Sequence, residues 1–126
     1  MTANRNTVLI VEDDLFISMD AADCVARTGA NVVTTETVED AIGIVERGNI
    51  CAAILDFRVL DGVITPLLKK LEASGIPYRV VSGSSPAELA AEGIPPACCT
   101  PKPADYLRVL GLLNNARRSA MSPMTA

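Results

Sequence analysis

Two segments of the chain, TVLIV (7–11) and CAAILD (51–56), are almost continuously apolar, and each runs straight into carboxylates: Glu12-Asp13 after the first, Asp56 at the end of the second. A strand with one wet face alternates polar and apolar residues. A run without that alternation has no face to offer water, so it belongs in a parallel sheet covered by helices on both sides. The composition agrees. Hydrophobic residues make up 49% and aromatic residues only 3%, with no Trp, so Val, Ile, Leu and Ala must fill such a core.

Helical signals separate the strands. Asp13 or Asp14 can cap a helix in which Ile17, Ala21 and Cys24/Val25 recur at helical spacing, with Gly29 placed to stop it. NVVTT (31–35) reads as the second strand. TVED (37–40) resembles a capping box with Asp in place of Glu, ahead of a helix carrying Ala41, Ile42 and Val45 and ending at Gly48. Asp61-Gly62 reads as a turn. Thr65-Pro66 opens a third helix, with Pro at its first position, and Gly75 closes it.

RVVSG (79–83) is the fourth strand. Ser85-Pro86 opens a short Ala-rich helix that ends at Gly93-Ile94-Pro95-Pro96, and ACCT (97–100) is a weak fifth strand. The last helix is expected from about Ala104 to Arg118, with Arg117-Arg118 solvated and complementing the helix dipole, and SAMSPMTA frayed. Five strand–helix units with short connections predict an α/β fold, a doubly wound five-stranded parallel sheet with helices on both faces. One domain over residues 1–120 and a disordered tail at 121–126 are expected.

In open sheets of this kind ligands bind beyond the carboxyl ends of the strands, where the strand order reverses. The polar residues gather there: Glu12 and Asp13 after strand one, Asp56 at the end of strand three, Ser82 in strand four, Lys102 after strand five. Each has an ordinary reading. Glu12, Asp13 and Asp14 suit a solvated loop with a helix cap, Asp56 a turn, Ser82 a loop, and Lys102 an exposed surface charge. Together those readings demand four coincidences on one rim. Three carboxylates side by side repel one another, and Mg²⁺ compensates them while keeping coordination positions for phosphate oxygens. A hydroxyl and an ammonium beside them complete a phosphoryl-binding site.

VLIVEDD, LD at the end of strand three, VVSG and KP, in that order at strand ends, resemble the receiver-domain pattern of two-component response regulators over nearly the whole chain. The resemblance implies a flavodoxin-like strand order of 2-1-3-4-5. It implies that Asp56 is the phospho-acceptor, that Asp13 binds Mg²⁺ directly, that Glu12 acts mostly through coordinated water, and that the backbone carbonyl of Arg58 is a further ligand. Ser82 and Lys102 would contact phosphoryl oxygens, and the Lys102-Pro103 bond would be cis. The expected role is a stand-alone receiver in a phosphorelay, switching protein–protein interactions. Its phosphodonor would be a histidine kinase or a histidine phosphotransfer protein, and a downstream protein target is possible.

One position departs from that pattern. Many receivers carry Tyr or Phe three residues before the lysine, where this chain has Cys99. A small thiol cannot swing in and out as a ring does. DFRVLDG and IPYRVVSG are similar to segments of single-domain receivers that lack the aromatic switch, which implies that Ser82 to Gly93 reorganises on phosphorylation.

The remaining features bound the function. With a net charge of −4 and no added output domain expected, no partner among nucleic acids is expected, and no stretch is long enough to span a membrane. The start MTANRNT does not read as a signal peptide, and Cys24, Cys51, Cys98 and Cys99 contain no CxxC pair. A cytoplasmic setting is expected, with all four thiols as small core residues. The chain has no His, the usual general base. Other readings are a phosphate sink or relay intermediate without its own output, a pseudo-receiver acting by contacts alone, and an Asp-nucleophile phosphatase. The last would want a second carboxylate two residues beyond the nucleophile, where Arg58 stands.

Overall fold

The structure is a computed structural model that describes residues 7–121, with side chains as far as 115. The first six residues, the side chains of Arg117-Arg118 and residues 122–126 of the expected tail lie outside the described residues. In chain order the elements begin with β1 (Thr7–Val11), α1 (Leu15–Ala26), β2 (Asn31–Thr35), α2 (Val38–Arg47) and β3 (Ile50–Leu55). They continue with β4 (Arg58–Val59), β5 (Gly62–Val63), α3 (Thr65–Ala73), β6 (Tyr78–Ser82) and α4 (Pro86–Ala91). A 3-10 turn (Pro96–Cys98), β7 (Cys99–Pro101) and α5 (Tyr106–Met121) complete the described chain.

Five of the strands form one parallel sheet in the order β2-β1-β3-β6-β7. This is the doubly wound order 2-1-3-4-5, since β4 and β5 pair only with each other as a small antiparallel hairpin. The continuous apolar runs are explained by the period of two along a strand. Leu9 and Val11 of β1, with Ala53 and Leu55 of β3, face a core filled by Ala41 and Val45 of α2 and Leu67 and Leu71 of α3. Val8 and Ile10, with Ala52 and Ile54, face the opposite core, built on Ala21 and Val25 of α1 and Val109 and Leu113 of α5. Both faces are dry, so alternation has no use. β2 and β7 are the edge strands, and their burial is correspondingly partial.

Several boundaries differ from the sequence expectations. β3 stops at Leu55, which leaves Asp56 just past the strand. The fifth sheet strand starts only at Cys99, because Pro96–Cys98 coils into a 3-10 turn. Pro66 stands at the second helical position of α3, after Thr65, and no side chain caps that helix. The last helix starts at Tyr106 rather than Ala104 and continues to Met121. Asp105 accounts for the later start, since its carboxylate accepts the Leu107 N–H at 3.0 Å and so caps the first turn. Gly29 (φ 90°) and Gly48 (φ 88°) stop α1 and α2 in the left-handed region that a residue without Cβ enters freely.

Of the cysteines, only Cys51 is buried; Cys24, Cys98 and Cys99 are half-buried, so the expectation of four core thiols holds for one. α1 and α5 present Leu15, Phe16, Met19 and Leu107 to the surface. Among the described residues no helix is long and apolar enough to cross a membrane.

Candidate functional site

The rim at the carboxyl ends of the strands is fixed by backbone bonds between neighbouring strand ends. The Glu12 N–H donates to the Thr35 carbonyl at 3.0 Å, the Asp56 N–H to the Val11 carbonyl at 2.9 Å, and the Lys102 N–H to the Ser82 carbonyl at 3.0 Å. Glu12, Asp56, Ser82 and Lys102 are thus clamped to successive strands of the sheet. Asp14, and not Asp13, caps α1: its Oδ1 accepts the N–H groups of Phe16 (3.0 Å) and Ile17 (3.1 Å). That leaves the Asp13 carboxylate for the rim.

Glu12, Asp13 and Asp56 converge, each offering a carboxylate oxygen within 4.8 Å of the others. Lys102 lies between two of them, its Nζ 3.3 Å from both oxygens of Glu12 and 3.3 Å from Asp56 Oδ2. The Phe57 N–H holds the other Asp56 oxygen, Oδ1, at 2.8 Å. Glu12 is only 5% exposed. Burial, with the Asp56 charge beside it, pushes the Glu12 carboxyl up to about 7, and Lys102 offsets part of this. Burial works against the Lys102 charge, but Asp56 and Glu12 outweigh it and the net shift is upward. The cluster therefore lacks positive charge. An all-oxygen donor set of carboxylates suits a hard divalent cation such as Mg²⁺.

Ser82, 4% exposed, stands at the end of β6, but its hydroxyl is turned into the following loop, where it accepts the Ser84 N–H at 3.0 Å. Among the described residues no hydrogen bond joins that hydroxyl to Asp56. Behind it lies an apolar cavity of about 250 Å³ walled by Leu89, Ile94 and Cys99, whose thiol donates to the Pro95 carbonyl at 3.5 Å. Arg58 opens the β4–β5 hairpin two residues beyond Asp56, and its exposed guanidinium lies 5.1 Å from the centre of the Phe57 ring. Lys102-Pro103 is cis.

Two residues have roles here that the sequence did not assign them. Tyr106 is buried beneath the rim and lines a small void with Glu12 and Asp56. Burial, with Glu12 nearby, raises its phenol to about 12. Asp61, read from the sequence as a turn residue, does turn the hairpin, and it also accepts the Val38 N–H at 2.7 Å and the Glu39 N–H at 3.1 Å. The capping box expected in TVED is accordingly half formed. Thr37 accepts the Asp40 N–H at 3.1 Å, but the Thr37 N–H goes to Thr35 Oγ1 at 3.5 Å.

No family model matches the chain, and no curated protein does. Solved structures match it over most of its length. The receiver domain of the PhyR response regulator from Erythrobacter litoralis is 25% identical, with a TM-score of 0.77 and 96% of each chain covered. SdrG from Sphingomonas melonis is 28% identical, with a TM-score of 0.70 and coverage of 92% of this chain and 98% of that one. A response regulator receiver protein from Sinorhizobium medicae reaches a TM-score of 0.79 at 18% identity, covering 90% and 95%. The chain is similar in fold to the receiver domains of response regulators.

Proposed function

We propose that residues 1–120 form a receiver domain of a two-component phosphorelay, accepting a phosphoryl group on Asp56 from a phosphohistidine. The observation that carries the reading is the position of Lys102 Nζ, 3.3 Å from both Glu12 and Asp56, with Asp13 completing the acidic group. The similarity in fold to receiver domains supports it.

Asp56 Oδ1 is held by the Phe57 N–H, so Oδ2, which faces Lys102, is the oxygen placed to attack phosphorus. The phosphorus–nitrogen bond of the donor breaks as the phosphorus–oxygen bond forms. Lys102 follows the negative charge as it moves from the carboxylate onto phosphoryl oxygens, and the Ser82 hydroxyl turns from Ser84 toward another of them. Glu12, Asp13, Asp56 and the Arg58 carbonyl would hold Mg²⁺, which supplies positive charge for the phosphoryl oxygens. No substrate other than its own aspartyl phosphate is turned over. A histidine kinase or histidine phosphotransfer protein is the donor, a protein that prefers one phosphorylation state is the target, and the setting is cytoplasmic.

Incubation with acetyl phosphate and Mg²⁺, read by intact mass, tests this. Wild type should gain one phosphoryl group and Asp56→Asn none. A wild type that stays unmodified while its Mg²⁺ binding is demonstrated would overturn the reading.

A further inference from the structure

The apolar cavity of about 250 Å³ beside Ser82 is a pocket between α4, the 3-10 turn and β7. We infer that it is a binding site for a small neutral aromatic molecule of one or two fused rings, taken up from solution. The inference does not depend on phosphorylation of Asp56.

The pocket has a buried floor and a rigid mouth. Leu89 and Ile94, 6% and 2% exposed, form the floor, with the half-buried Cys99 beside them. Three exposed prolines make the mouth: Pro86 of α4, Pro96 of the 3-10 turn and Pro101 of β7. A void shrinks where its walls can relax into it. Here the mouth comes from three separate elements, each stiffened by a pyrrolidine ring, so the space is held open.

The chemistry of the walls selects an apolar occupant. Among the described residues no charged side chain lines the pocket. Three of its polar groups are already engaged. Thr100 Oγ1 accepts the Arg79 Nε–H at 2.7 Å, Ser82 Oγ accepts the Ser84 N–H at 3.0 Å, and the Cys99 thiol donates to the Pro95 carbonyl at 3.5 Å. Water inside would find few of the partners it needs, whereas an apolar ring gains by leaving water. An apolar cavity of about 150 Å³ takes up benzene, so 250 Å³ has room for one substituted ring or two fused ones. A peptide is the poorer occupant, because the three prolines at the mouth offer no N–H to a backbone carbonyl. Leu89 is the one buried side chain of α4, so a ring packed on it adds to what holds that helix.

The test is an NMR titration of the full chain, resolved at methyls and amides, with three probes. They are indole, purine as a polar molecule of the same fused-ring shape, and acetyl-tryptophan-amide. Indole should saturate one site, show nuclear Overhauser contacts to the Leu89 and Ile94 methyls, and slow amide exchange from Leu89 to Ile94. Its affinity should exceed that of purine and of acetyl-tryptophan-amide by roughly tenfold or more. Cys99→Phe, which fills the pocket from within, should abolish indole binding and leave the rest of the spectrum in place. If that variant does not fold, the contacts to Leu89 and Ile94 in wild type still decide where the ring sits. Non-saturating shifts, contacts to other methyls, purine binding as tight as that of indole, or a folded Cys99→Phe that still binds indole would each overturn the site. Acetyl-tryptophan-amide binding as tightly as indole would overturn the free molecule as occupant and give the pocket to a partner's side chain.

Discussion

Asp61 and Val38 lie 23 residues apart in the chain, yet the Asp61 carboxylate accepts the Val38 N–H at 2.7 Å. The hairpin that follows the proposed acceptor aspartate thereby closes the open N-terminus of α2. The Leu60 N–H adds a second tie, donating to the Glu36 carbonyl at 3.2 Å. The loop that carries Arg58 is in this way anchored to the β2–α2 junction rather than left free at the surface.

The two N–H bonds hold the Asp61 carboxyl below the ordinary carboxylate value. A group whose value is lowered in the folded state stabilises above its unfolded value, and that contribution is lost as pH falls through the folded one. At neutral pH, Asp61→Ala should therefore speed amide exchange at Val38 and Glu39 and lower the unfolding midpoint. The difference from wild type should shrink as pH falls through the acidic range where the Asp61 carboxyl takes up its proton. Asp61→Asn, which keeps an acceptor without charge, should show a smaller and flatter difference. An Asp61→Ala protein with unchanged exchange in the first turn of α2 would show that Thr37 alone is a sufficient cap.

How much of this was legible depends on whether the information is local. β1 and β3 announced themselves because burial on both faces erases polar alternation, and the convergence of Glu12, Asp13, Asp56 and Lys102 followed from strand ends sharing one rim. The cap by Asp61 was invisible because it spans 23 residues and joins a turn to a helix start. TVED looked self-sufficient, and only the structure shows a distant carboxylate taking two of its N–H groups. The half-buried Cys98 was misjudged for a similar reason. Two consecutive prolines, Pro95 and Pro96, delay the strand by a 3-10 turn, and that moves the thiol out of the core. Ser82 ends β6, and the rotation of its hydroxyl toward Ser84 is a side-chain choice that no pattern of residue types encodes.

Lys102→Met separates charge from shape at the rim. The substitution keeps the long stem and removes the ammonium between Glu12 and Asp56, so Glu12 should titrate higher still. Phosphoryl transfer from acetyl phosphate should slow on the order of 10²-fold, the size expected for loss of one charged group at developing phosphoryl charge. Mg²⁺ affinity should hold or rise, since a competing cation is gone. Isothermal titration and the time course of the intact-mass change measure the two effects separately, and a parallel loss of both would mean that Lys102 is needed to shape the site.

Thr65 offers a stability test away from the chemistry. Its Oγ1 is buried without a hydrogen-bond partner at the start of α3. Valine has nearly the same shape and no polar atom to strand, so Thr65→Val should leave the fold unchanged and stabilise it by about 1 kcal/mol, read from urea denaturation. A loss of similar size would mean that the hydroxyl finds a partner in solution.

The most consequential prediction concerns α4. This helix has six residues, and Leu89 is its only buried side chain. Burying one Leu contributes roughly 1.5–3 kcal/mol, whereas fixing six backbones costs on the order of 6 kcal/mol before hydrogen bonds are counted. The capping box of Ser85 with Glu88 offsets part of that, which leaves α4 the least firmly held helix on its face of the sheet. Its upstream connection depends on the Ser84 N–H bonded to Ser82 Oγ. If the Ser82 hydroxyl turns to a phosphoryl oxygen on Asp56, that bond breaks, and Cys99 supplies no ring to fill the neighbouring 250 Å³ cavity in compensation. Beryllofluoride with Mg²⁺ should therefore change amide hydrogen exchange across Ser82 to Gly93 while leaving α2 and α3 unaltered. Ser82→Ala should bind the same mimic yet show a much smaller change. Exchange across this segment that is indifferent to bound beryllofluoride would mean that the signal leaves the site by another route, because the Ser82 hydroxyl, which joins the rim to the start of α4, would then have no part in it.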